Sequence, residues 1–100
     1  MAHDETLAAA IRELLPEATE KRMFGGIGFL VNGKLAIAAS GQGGVLVRVD
    51  PAEAAELVAS GAAQPAVMRG RKMQGWVRAQ PTPRELAAWV ERGAAQARAA

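Results

Sequence analysis

The run Met23-Phe24-Gly25-Gly26-Ile27-Gly28-Phe29-Leu30-Val31-Asn32-Gly33-Lys34-Leu35-Ala36-Ile37-Ala38-Ala39 decides the architecture of this 100-residue chain. Both central positions of a type I′ turn need positive φ, which Asn and Gly supply at least cost, so Asn32-Gly33 predicts a tight hairpin. Met23 to Val31 is then the outgoing strand and Leu35 to Ala39 the return. Glycines inside a strand mark a bulge or a close backbone approach. A phosphate-binding loop is the sharper reading of Gly25-Gly26-Ile27-Gly28. It fails because the third spaced glycine is missing, no Gly-Lys-Ser/Thr follows and no helix comes next.

Gly41-Gln42-Gly43-Gly44 supplies the next turn, and Val45-Leu46-Val47-Arg48-Val49 alternates as a third strand. Upstream, Leu7, Ile11, Leu14 and Leu15 share one helical face, with Asp4 as N-cap. Pro16 ends that helix by pushing the residue before it out of the α region. Glu17 to Glu20 then reads as a polar connector. Downstream, Asp50-Pro51-Ala52-Glu53 starts a second helix with a cap, a proline at the first position and an acid in the first turn; Gly61 stops it after about Ser60. Ala66 to Arg69 and Lys72 to Ala79 read as a hairpin around Gly70. Thr82-Pro83-Arg84-Glu85 is a capping box that opens a last helix, with Leu86, Trp89, Val90, Gly93 and Ala97 on one side and fraying expected after Gln96.

The order α-β-β-β-α-β-β-α predicts one α+β domain over residues 1–100, two layers deep, with an about five-stranded, largely antiparallel sheet. The helices should cover one face of the sheet and leave the other open. If Val45, Val47 and Val49 face the helices, the open face shows Leu46, Arg48, Gln74, Trp76 and Arg78. A tryptophan flanked by arginines suits docking of a partner protein, a second copy or a stacked base, unless a helix or loop covers it.

Composition excludes more than it suggests. There is no cysteine, so disulfides, thiol catalysis and cysteine-held zinc are out; the one histidine, His3, stands near a terminus expected to fray, which argues against a Ser-His-Asp triad or a His-rich metal site. No general acid–base pair, activated nucleophile or metal set emerges, so neither an enzyme nor a cofactor is expected. Glu13 and Glu17 stand four apart without a metal-compatible partner and read as solvated. Met23, Met68 and Met73 could form a soft groove, but filling core gaps is the plainer role. No apolar stretch is long enough to span a membrane and no signal peptide is readable, which points to the cytoplasm.

The net charge is only +2, yet no acid stands between Lys21 and Val49 or between Leu57 and Arg84. Basic residues of this kind protect strand edges from aggregation. They also allow direct nucleic-acid binding through Lys21, Arg22, Arg69, Arg71 and Lys72, with Arg69-Gly70-Arg71-Lys72 as a phosphate-contacting hairpin tip.

Five segments carry a resemblance. Glu20-Lys21-Arg22-Met23-Phe24-Gly25-Gly26 with Gly28-Phe29, then Val47-Arg48-Val49-Asp50, Met68-Arg69-Gly70-Arg71 with Met73, Gly75-Trp76-Val77, and Leu86-Ala87-Ala88-Trp89-Val90 together resemble the N-terminal domain of the TfoX/Sxy family. The resemblance covers nearly the whole chain, in order. It implies a two-layer α+β fold and a regulatory role: founding members regulate natural competence with a cyclic-AMP-responsive transcription factor. Those regulators carry a second, C-terminal domain, and the expectation here is the first domain alone. Lys72 and Ala66 stand where relatives often show proline and phenylalanine. The resemblance offers no catalytic residues. The open face around Arg48, Trp76 and Arg78 is expected to bind a protein partner or a second copy in a homodimer, with nucleic acid on the basic stretches as the alternative.

Overall fold

The computed structural model describes residues 5–23, 25–41, 43–68 and 70–99, with the backbone alone at Met68. Asp4, the expected cap of the first helix, lies outside the described residues, as do His3, Phe24, Gln42 and Arg69. The elements run α1 (Glu5–Leu14), β1 (Thr19–Met23), β2 (Gly26–Val31), β3 (Lys34–Ala39), β4 (Val45–Arg48), α2 (Pro51–Ala59), β5 (Gln64–Met68), β6 (Arg71–Ala79) and α3 (Pro83–Ala99). The strands form one six-stranded sheet in the order β1-β2-β3-β4-β6-β5, antiparallel throughout.

The architecture is the expected α+β one, with one strand more. Thr19–Met23 is a strand, where a connector followed by one long apolar strand was expected. The apolar run breaks at Gly25, whose φ of +72° turns the chain back on itself. β1 is an edge strand made of Thr19, Glu20, Lys21, Arg22 and Met23 and has no apolar face to bury. It is held by backbone pairing to β2, and its charges discourage a further strand from joining. The Asn32-Gly33 turn is as expected, with φ of 53° and 79°.

Local chemistry fixes the helices. The Asp50 carboxylate accepts from the Ala52 N–H at 3.0 Å, and Gly61, at φ +82°, closes the other end of α2. Asp50→Ala should cost about 1 kcal/mol, the usual worth of such a cap, measured by urea unfolding. At α3 the Thr82 N–H donates to the Glu85 carboxylate at 2.9 Å, one half of a capping box. α3 does not fray after Gln96: Ala97 is 1% exposed in the core, and Arg98 pairs with Glu17 at 2.7 Å.

All three helices pack on one face of the sheet. There Phe29, Ile37, Val47 and Val77 stand opposite one another across β2, β3, β4 and β6, each completely buried. α3 lies over the centre of that row through Leu86, Trp89, Val90 and Ala94, while α1 adds Ala8 and Ile11. Gly93 lets α3 sit close: a Cβ there would overlap the Ala36 carbonyl of β3. The other face carries no helix, and its buried residues form a separate small cluster of Ala38, Leu46 and Ala66.

Candidate interaction face

The helix-free face is organised by strand register. Lys21, Gly28, Ala38, Leu46, Arg78 and Gln64 stand opposite one another in turn, one from each strand. A cation thus stands at or near each end of a row whose middle is small and apolar. The row spans about 24 Å, five steps of ~4.8 Å. A neighbouring pair, Arg48 and Trp76, stands opposite across β4 and β6.

Each side chain is held in a way its surroundings explain. Arg48 donates from Nε to the Leu35 carbonyl, and its guanidinium lies over the Trp76 ring, 4.8 Å from the centroid. Such stacking satisfies the cation with the ring's negative face while both remain half-buried. Arg78 donates to the Ser40 hydroxyl at 3.1 Å and to the Gly43 carbonyl at 3.0 Å, so it braces the turn between β3 and β4. Leu46 lies on this face but is 1% exposed, so it forms the floor, with Trp76 and Met73 packed against its cluster.

Strict alternation along β6 fails at one point. Met73 and Trp76, three residues apart, pack on the same cluster, because Gly75 between them has φ +78°. Gln74 was expected beside Trp76 and Arg78; it is exposed and lines a groove between α2 and β6. The signal for this was present, since an isolated glycine inside a strand pattern marks a bulge. The groove is about 540 Å³, with Ala54, Val58 and Pro65 on its walls and Met73 and Trp76 shared with the open face. Lys72 also lines it.

Of the residues named for nucleic-acid contact, the four described ones do not form one patch. Lys21 and Arg22 are adjacent on β1 and point to opposite faces, being paired with Gly28 and Ile27 respectively. Arg71 and Lys72 likewise alternate on β6, and three strands separate β6 from β1, about 19 Å in all. Register instead puts Lys21, Arg48, Arg71 and Arg78 on the helix-free face. The single acid in the strands, Glu20, is turned to the other face opposite Phe29. There it pairs with Arg12 of α1, and the hydrogen bond from that guanidinium holds its carboxyl below the usual carboxylate range. No strand residue on the helix-free face is acidic.

Among the described residues no group of three or more His, Asp or Glu could hold a metal, and no helix is long and apolar enough to cross a membrane. No curated protein and no solved structure gives a significant match to the chain. A family model described as the TfoX N-terminal domain matches residues 10–97, which takes in all six strands, α2, half of α1 and most of α3. With the match spanning nearly the entire sheet-and-helix unit, the chain belongs to the TfoX N-terminal domain family.

Proposed function

We propose that this protein is a cytoplasmic, non-enzymatic interaction domain that docks a partner protein on the helix-free face of its sheet, around Arg48, Trp76 and Arg78. The family is a regulatory one, linked in general to competence regulation, and regulation of that kind works through binding. The observation that carries the reading is the Arg48–Trp76 stack on a face that no helix covers. Tryptophan and arginine dominate the energetics of protein interfaces because each combines a large apolar area with a directional polar group. Here both are already oriented, so little ordering entropy remains to be lost on binding.

Trp76→Ala should leave the far-ultraviolet circular dichroism unchanged and weaken partner capture by about 2 kcal/mol, roughly 30-fold in affinity. Retention of partner and of sedimentation behaviour by a folded Trp76→Ala variant would falsify the docking face. Direct nucleic-acid binding is the competing reading, and the dispersal of Lys21, Arg22, Arg71 and Lys72 over two faces weighs against it.

A further inference from the structure

Resting on the docking-face reading, we infer that the partner presents an acidic protein segment carrying an apolar anchor residue. The charge of the face selects its occupant. Lys21, Arg48, Arg71 and Arg78 share a face to which no strand contributes a carboxylate, although the chain as a whole has ten acids against twelve Lys and Arg. The acids of the described residues lie on the helices, their flanks and the helix-covered side of β1. Complementary potentials of this kind steer encounter and reject partners of the wrong sign.

Two other occupants fit less well. A second copy of this chain, docked face to face about a two-fold axis, would bring the same four cations against themselves. A duplex nucleic acid carries one charge per ~1.7 Å, about fourteen along the ~24 Å width of the sheet, far more than four cations answer. Base stacking is also disfavoured, because Arg48 already occupies one face of the Trp76 ring and the floor packs against the side chain. An acidic segment asks for only a few cations, spaced as here around an apolar floor. The groove beside α2, which Met73 and Trp76 also line, offers a place for the anchor.

Three probes separate the possibilities in an amide NMR titration. They are a 12-residue peptide with four glutamates flanking one leucine, its glutamine-for-glutamate counterpart, and a 12-nucleotide deoxythymidine strand. The acidic peptide should bind at least tenfold more tightly than its counterpart, with shifts centred on Ala38, Leu46 and Trp76. Lys21→Gln combined with Arg71→Gln, both exposed sites, should reduce that binding about tenfold without changing the melting temperature. Equal binding of both peptides at these residues overturns the acidic partner and leaves the docking face standing. Shifts elsewhere, or none, overturn both. Tighter binding of the strand assigns the face to nucleic acid, and a concentration-dependent dimer blocked by Trp76→Ala assigns it to a second copy; either result overturns the inference.

Discussion

Gly26→Ala should lower the melting temperature by roughly 12–24 °C, the shift that a loss of about 3 kcal/mol produces in a domain of this size. The reason is backbone against backbone. A Cβ at Gly26 would overlap the Ala39 carbonyl oxygen, and it would lie 3.0 Å from both the Ala39 carbonyl carbon and the Gly41 nitrogen. A flexible side chain could move aside, whereas these are main-chain atoms of the strand next door and the turn that follows it. Overpacking commonly costs 1–3 kcal/mol, and the upper end applies where nothing can yield. Against a total of ~5–15 kcal/mol the loss is a large fraction. Thermal unfolding followed by circular dichroism measures it, and a melting temperature within about 3 °C of the parent, less than 1 kcal/mol here, contradicts the close approach.

Gly93→Ala is the second large effect, and its sign is the test. In the middle of an exposed helix the change stabilises by up to ~1 kcal/mol, because glycine loses more backbone entropy on folding than alanine. In α3 the new methyl would overlap the Ala36 carbonyl oxygen and lie 3.3 Å from the Val47 side chain. Either the helix lifts off β3, loosening Leu86, Val90 and Ala94, or the sheet bends beneath it. The expected outcome is a net loss of about 1–2 kcal/mol after the propensity gain is subtracted, read from urea midpoints at constant slope. A gain in stability means that α3 does not sit on β3 at this distance.

Elements whose chemistry is local were legible in the sequence. Asn32-Gly33, Asp50-Pro51 and Thr82-Pro83-Arg84-Glu85 each carry their own geometry, and each appears where expected. The glycines of the apolar run were legible as places of close backbone approach, as Gly26 is; Gly28 instead makes room for the Met23 and Leu35 side chains. β1 was not legible because an edge strand needs partners on one side only. Its residues show no apolar period, and its existence depends on β2 lying beside it. The far end of α3 was misjudged for a related reason, as its Ala-rich composition says nothing of Glu17 waiting for Arg98.

The candidate face divides in the same way. Alternation along β4 correctly sent Val45, Val47 and Val49 to the helices, and acid-free stretches were visible in the bare sequence. That Lys21 shares a row with Arg78 follows from register across four strand pairs, which no local pattern encodes. The exchange of Gln74 for Met73 turns on one backbone angle at Gly75.

The position of α3 in the chain has a consequence for biogenesis. The helix that seals Phe29, Ile37 and Val47 follows all six strands in sequence, so a ribosome delivers the sheet before its cover. Until α3 emerges, the nascent chain presents a sticky apolar row to its surroundings, and α1, made first, has no α3 to pack against. Synthesis thus passes through an interval in which the sheet can form and the domain cannot yet lock. A chaperone that recognises exposed apolar strands would find its substrate in that interval and lose it once α3 docks.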